Sequence, residues 1–401
     1  MTSVEQAQNA IFAGLIQSNS QNQDLTDWPG KILCQEITAE RDGPPFNRCA
    51  MDGIAINLSH IGNTVFNLEG VQAAGEIQKT LNNPAQALEV MTGAPLPIGC
   101  DLVIPYEQIS INNGNAVLNP GLNLKPMQNV HQKASDFKKG DILLTKGRPL
   151  NTPQITVAVS QGYNKLVVKT LPKVAIISSG DELVDLDKTP LPHQIRKSNP
   201  YAIQNELKSM RIKDLDLYHL NDDFDESYLL IKGLLEKYQI LVLSGGVSKG
   251  KFDLLPDVLE KLNVTKVFHR ITQRPGKPFW FGKGEKGQMI FALPGNPVSA
   301  LICLRRYVTP ALRKMELGKM PNQRFAILKE PITFRKDLTL FKPVKISYSH
   351  DGKTWATPVE LNGSGDYFSL AESDGFLELP SEKQDFLSGE SYPLYLWGEN
   401  E

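Results

Sequence analysis

Two short apolar runs constrain this chain more than any other feature. Residues 240–243 (Ile-Leu-Val-Leu) and 289–293 (Met-Ile-Phe-Ala-Leu) carry no charge and sit between turn residues. Each runs into a glycine loop: Ser-Gly-Gly-Val-Ser (244–248) after the first and Pro-Gly-Asn-Pro-Val-Ser (294–299) after the second. Runs this short and apolar suit strands covered on both faces, as in a parallel sheet. A helical pattern follows each loop. Glycines after a strand let the backbone approach a ligand and aim amides at an anion, and the helix start adds its positive end.

The same grammar extends backward to residue 173. Strands are expected at 174–177 and 215–220, alternating with helices. One helix is signalled by Asn199 as N-cap, Pro200 at the first helical position, and Ile203, Leu207 and Met210 along one face. A second carries Leu230, Leu234 and Leu235, and a third runs from 297 to about 314. Alternating strands and helices imply a doubly wound parallel sheet whose ligand lies outside the carboxyl ends of the strands. Those ends hold Ser179, Asp181 and Glu182; Asp222 and Asp223; Ser244, Gly245, Gly246, Ser248 and Asp253; and Pro294, Gly295, Asn296 and Ser299. Each acid by itself suits a helix cap equally well. Together, beside anion-binding amides, they suit a divalent cation bridging carboxylate to phosphate. Residues 273–282, Gln-Arg-Pro-Gly-Lys-Pro-Phe-Trp-Phe-Gly, are expected as a third loop, in which two prolines restrain Lys277. That lysine is either a surface residue on a tight turn or a cation aimed at a ligand.

The rest of the chain has a different texture. An amphipathic helix opens it, with Ile11, Phe12, Leu15 and Ile16 as its stripe. Short β-like runs separated by Gly, Asn and Pro fill 57–130, and Thr92 heads a tight Gly/Pro loop. Residues 131–171 combine a charged turn, a strand and a helix near 152–161, and Pro172 marks a boundary. After about 320 the pattern returns to short strands, as in a small β-barrel or sandwich. A net charge of −1 over 401 residues gives no global field toward nucleic acid or membrane. Four scattered cysteines (Cys34, Cys49, Cys100, Cys303) and six histidines without ligand spacing argue against a Cys/His metal site. With no stretch of eighteen apolar residues and no leader-like start, the expectation is a cytoplasmic, reduced, soluble protein.

Six motifs occur in order: Pro-Pro-Phe-x-x-x-Ala-Met-Asp-Gly (44–53), Met-Thr-Gly-Ala-Pro-Leu-Pro (91–97), Ser-Gly-Asp-Glu-Leu (179–183), Ser-Gly-Gly-Val-Ser (244–248), Pro-Gly-Lys-Pro-Phe (275–279) and Leu-Pro-Gly-Asn-Pro-Val-Ser-Ala (293–300). Over essentially its whole length the chain resembles the molybdopterin molybdenumtransferases, the MoeA and gephyrin E-domain family. The resemblance implies an α/β multi-domain subunit. An elongated α+β N-terminal dimerisation domain (1–45 plus 131–171) would carry a β-rich insert (46–130), followed by a doubly wound molybdopterin-binding domain (172–320) and a β-barrel-like C-terminal domain (321–401).

It further implies Mg²⁺-dependent insertion of molybdate into adenylylated molybdopterin with release of AMP, by a homodimer that also meets other cofactor-biosynthesis proteins. By motif, Glu182, Asp222 and Asp253 would be the catalytic acids and metal ligands, with Asp52 and Thr92 facing the same cleft. Molybdate would be held by Arg274, Lys277, Pro278, Ser299, Lys342 and Ser364. The nucleotide-linked pterin would meet Asp136, Ser179, Gly180, Ser244, Gly245, Gly246, Ser248, Pro294, Gly295 and Asn296.

This chain departs from the family pattern at several points. Asn47-Arg48-Cys49 replaces Asp-Asn-Ser, His131-Gln-Lys-Ala-Ser replaces a basic run, and Lys249 and Lys251 enter the glycine loop. Arg274 replaces a lysine and Lys342 an arginine, exchanging a planar fork for a point charge and the reverse. Two other readings stay open: a non-catalytic scaffold on the same fold, and an enzyme that inserts tungstate or acts on another nucleotide-linked substrate.

Overall fold

The computed structural model describes residues 1–247, 254–320 and 322–398, which form two compact units, 1–21 with 169–401 and 22–168. The first unit is built on a six-stranded sheet in the order Leu215–Leu220, Val174–Ser179, Ile240–Ser244, Met289–Leu293, Trp280–Lys283, Thr265–His269. The first four strands are parallel. Strand alternation sends Val174, Ile176, Ile240 and Val242 to one core and Ala175, Ile177, Leu241 and Leu243 to the other. Both faces are therefore covered. The helices Asn199–Ser209 and Pro297–Cys303, together with Val4–Ala13, fill the first core, and Phe224–Lys237 and Leu255–Lys261 fill the second. A fully buried aliphatic side chain contributes about 1.5–3 kcal/mol, so these two layers dominate the unit's stability.

Three expectations change in detail. The sheet is not parallel throughout, because Trp280–Lys283 and Thr265–His269 join it antiparallel. Residues 280–282 were expected as loop, but Trp280 and Phe281 are 2% and 0% exposed and enter opposite cores, which is strand behaviour. The cap at 199 shifts by one: Ser198 is the N-cap and Asn199 already lies in the helix, with its side chain engaged elsewhere. The third helix continues as a π-turn, Leu304–Val308, and then as Thr309–Leu317, until Gly318 at φ 74° ends it.

Residues 322–398 close a five-stranded barrel. Thr339–Tyr348 pairs with both Thr354–Pro358 and Gly375–Leu379, while Arg324–Leu328 and Ser391–Leu396 complete the ring. Its attachment to the α/β layers is specific. The short strand Gln273–Arg274 runs parallel to the barrel strand, with Gln273 opposite Thr339 and Arg274 opposite Leu340. On the π-turn, buried Arg306 donates through Nε to Glu378 Oε2 at 2.7 Å and through Nη1 to Gln8 Oε1 at 2.8 Å. Removing one partner of such a pair would strand a buried charge.

The second unit, 22–168, carries a six-stranded sheet in the order Leu102–Pro105, Gly53–Ile56, Ala87–Val90, Val65–Gln72, Asn115–Leu118, Ile109–Asn112. Beside it lies a smaller core of Trp28, Leu33, Leu150, Leu166 and Val168, packed by the helix Thr152–Ser160.

Candidate functional site

The strand order breaks direction beside Val174–Ser179: the chain goes first to 215–220 on one side, then to 240–244 on the other. A crevice at the carboxyl ends follows from that topology. The first unit has a cleft there with a volume of about 1260 Å³, enough for a nucleotide-sized ligand.

Its floor is made by strand ends and glycine turns. Ser179 and Gly180 close Val174–Ser179, Ser244, Gly245 and Gly246 close Ile240–Ser244, and Pro294, Gly295 and Asn296 follow Met289–Leu293; all of them line the cleft. Gly245 and Gly246 have φ of 100° and 67°. A Cβ on Gly245 would stand 2.7 Å from the Ser179 carbonyl oxygen, so only glycine lets these two strand ends pass. Asn199 Nδ2 donates to Ser244 Oγ at 2.8 Å and to the Gly295 carbonyl at 2.7 Å, tying two of the turns together. Glu182 and Asp222 also face the cleft, and the Asp222 amide donates to Asp181 Oδ1 at 2.9 Å. One residue before the strand ends, Ser178 Oγ lies 3.0 Å from His219 Nδ1. Burial first, and the Lys197 charge second, hold that imidazole below its ordinary pKa of 6.5.

The wall is cationic and comes from two layers. Arg274, Lys277 and Pro278 from the α/β layers, Ser299 from the helix start, and Lys342 and Ser364 from the barrel side all line the same cleft. Asn296 Nδ2 donates to Ser364 Oγ at 2.8 Å, and the Val298 amide to the Ser364 carbonyl at 3.2 Å, which fixes the barrel loop against the helix start. Lys342, with a side chain 13% exposed, reaches Glu360 Oε1 at 2.5 Å, while Glu360 is 87% exposed. Asp253, Ser248, Lys249 and Lys251 lie outside the described residues.

Asp52, Thr92 and Asp136 belong to the unit 22–168 and form two local clusters. The Thr92 amide and hydroxyl both donate to Asp52 Oδ1, at 2.5 and 2.7 Å. Those donors, the amide first, hold the Asp52 carboxyl below its ordinary range. Asp136 Oδ1 is 2.7 Å from His131 Nε2, and His131 Nδ1 is 3.0 Å from Arg48 Nη2. A guanidinium only donates, so Nδ1 accepts and Nε2 carries the proton given to Asp136. Arg48 and His131, two departures from the family pattern, are thus partners of each other.

Among the cleft residues that the sequence did not mark as site residues are Arg196, Asn199, Gln273 and Glu360. Asn199 was legible only as a cap. The other three reach the cleft through long-range pairing, which carries no local signal.

Comparison with known proteins matches the chain in three stretches. A family model described as MoeA N-terminal region (domain I and II) matches residues 2–162, a probable molybdopterin binding domain matches 175–314, and a MoeA C-terminal region (domain IV) matches 326–397. A molybdopterin molybdenumtransferase of Synechocystis sp. is 41% identical across 99% of this chain and 100% of its own length. One from Bacillus subtilis is 29% identical across 94% of this chain and 91% of its own. Two solved structures of the molybdopterin biosynthesis MoeA protein from Pyrococcus horikoshii superpose with TM-scores of 0.81 and 0.79, at 28% and 26% identity, covering 100% and 99% of this chain and 100% of each. On a likeness that spans the whole chain, it belongs to the molybdopterin molybdenumtransferases, a family of molybdenum-cofactor biosynthesis enzymes.

Proposed function

We propose that the cleft of the first unit inserts molybdate into adenylylated molybdopterin and releases AMP, in a Mg²⁺-dependent reaction. The observation that carries this reading is the meeting, in one cleft, of glycine turns and acids at the strand ends with Arg274, Lys277 and Lys342 on the wall. The turns suit phosphates and the cations suit a tetrahedral oxyanion. Two walls of different chemistry fit a substrate pair in which one partner is a nucleotide-linked pterin and the other a small dianion.

The donor set also fits the cation. Glu182 and Asp222 offer hard oxygen ligands on neighbouring strand ends, and among the described residues no group of three or more His, Cys, Asp or Glu could hold a metal alone. One or two carboxylates completed by substrate phosphate oxygens and water is how Mg²⁺ is commonly held. Asp253 is proposed as a further ligand on its motif. When bound, Mg²⁺ would stabilise charge on the phosphoanhydride. The chain's own residues do the positioning. Gly245, Gly246 and Gly295 leave room for the phosphates at the turns, and Arg274, Lys277, Lys342 and the Ser299 and Ser364 hydroxyls hold the oxyanion against the dithiolene.

Matched titrations test this assignment. Lys277→Ala should lose about 10- to 150-fold in molybdate affinity, the equivalent of roughly 1.5–3 kcal/mol of charge-assisted contact, while adenylylated pterin binding changes much less. Equal losses for both ligands, or no loss for molybdate, would refute it. The homodimer, and a part for Asp52, Thr92 and Asp136 in turnover, belong to the same proposal. Mixing inactive Asp52→Ala subunits with inactive Asp253→Ala subunits should restore activity if each site draws on two chains; no recovery after demonstrated subunit exchange counts against it.

A further inference from the structure

The turn that carries Arg274 and Lys277 stands on a buried polar network centred on Gln273. Gln273 is 1% exposed, and a buried amide is costly unless its donors and acceptor are engaged. Here they are. Its Nε2 donates to the Pro275 carbonyl at 3.0 Å and contacts Cys303 Sγ at 3.5 Å, and its Oε1 accepts from the Tyr307 hydroxyl. Cys303 Sγ in turn lies 3.7 Å from the Gly276 carbonyl. The two carbonyls on the underside of the turn therefore face buried donors, while Arg274 and Lys277 are exposed on the cleft side.

The supports are themselves fixed. Tyr307 is 1% exposed, sits on the π-turn Leu304–Val308, and packs with ring centroids 5.1 Å from Phe279 and 5.2 Å from the Arg306 guanidinium. Cys303 is fully buried at the end of the preceding helix, and burial pushes its thiol pKa up, so it stays a neutral S–H. Gly276, at φ 88°, comes so close that a Cβ would stand 2.6 Å from both Cys303 Sγ and Gln273 Nε2. The Ile271 amide closes the loop on the Lys277 carbonyl at 2.9 Å. Gln273 is also the residue paired with Thr339, which starts the strand that brings Lys342 to the cleft.

We propose that Gln273 is a positioning residue for the oxyanion subsite: seated on Tyr307 and Cys303, its amide holds the Pro275 carbonyl and so sets the direction in which Arg274 and Lys277 face the cleft. This rests on the oxyanion reading of that wall. Misaiming two cations at a small dianion weakens its binding far more than that of a ligand held by the glycine turns of the floor.

The test uses the full-length protein with Gln273→Met, which keeps volume and removes both amide functions, and Tyr307→Phe, which removes only the hydroxyl. Molybdate and adenylylated-pterin KM, molybdate affinity and Tm are measured in parallel, with Lys277→Ala as reference. Gln273→Met should raise molybdate KM about tenfold and leave pterin KM within about twofold, and Tyr307→Phe should shift molybdate KM in the same direction by less. The double variant should be no worse than Gln273→Met, because both act through one hydrogen-bonded chain. Equal changes in both KM values, or a fall in kcat and Tm with molybdate KM untouched, overturns the proposal and leaves Gln273 a core residue. If Tyr307→Phe leaves molybdate KM unchanged, the chain through the hydroxyl is refuted. Loss of molybdate affinity in Lys277→Ala with none in Gln273→Met sinks this inference alone; no loss in either sinks the oxyanion reading as well.

Discussion

Lys342 illustrates how a single side chain can be pulled two ways. It reaches the cleft wall from the barrel strand, yet its ammonium is held by Glu360, an almost fully exposed carboxylate that also lines the cleft. Only the carboxylate of this pair is solvated, and pairs with an exposed partner are worth about 0–1 kcal/mol, so an incoming oxyanion can displace Glu360 at small cost. Glu360→Gln should therefore tighten molybdate binding by about two- to fivefold, the range that pairing energy allows, and leave pterin binding unchanged. Weaker molybdate binding in this variant would mean that Glu360 orients Lys342 rather than competing for it. Lys342 was named in the sequence by family motif, but this pairing was invisible there. Glu360 and Lys342 meet through the barrel's register, and Gln273 acquires its role only by standing beside Tyr307 and Cys303, thirty and more positions away. Lys277, by contrast, was legible, because two flanking prolines restrain its backbone without help from the rest of the chain.

At the scale of elements, the strand-to-glycine turns were the clearest part of the sequence, since an uncharged run ending in glycines has few other uses in a parallel sheet. What the run could not show is why the glycines are needed. Gly245 has a φ of 100° and no space for a Cβ, whereas a Cβ on Gly295 would meet only Gly245 Cα, at 3.6 Å. Gly245→Ala should cost about 1–3 kcal/mol in backbone strain alone and lower Tm by several degrees. Gly295→Ala should leave Tm nearly unchanged and reduce pterin affinity by narrowing the floor. Equal Tm values for the two variants would show that close packing of the strand ends is not what selects Gly245. The π-turn escaped the sequence because its residues, Leu304 to Val308, keep the apolar spacing of an ordinary helix. Strand 280–283 escaped because Lys-Pro before it and Gly282 within it look like a loop, and only double-sided burial of Trp280 and Phe281 makes it sheet.

For the whole molecule, alternation of strand and helix from 173 to 317 was enough to anticipate the α/β layers, whereas turn-rich short strands left a barrel and a sandwich open until the family resemblance favoured the barrel. From the residue pattern the cleft could be anticipated only as a set of strand ends, and the family resemblance alone added Lys342 and Ser364; that Ser364 is tied to Asn296 at the helix start is a tertiary fact. Among the described residues no helix is long and apolar enough to cross a membrane. The central claim is that this cleft joins molybdate to an adenylylated pterin. It is tested most directly by following AMP release from purified adenylylated molybdopterin with Mg²⁺, with and without molybdate, for the native chain and for Lys277→Ala. AMP release that requires molybdate, accompanied by formation of the cofactor and shifted to at least tenfold higher molybdate concentration in Lys277→Ala, is the predicted result. AMP release indifferent to molybdate, or a Lys277→Ala variant with an unchanged molybdate requirement, would contradict it.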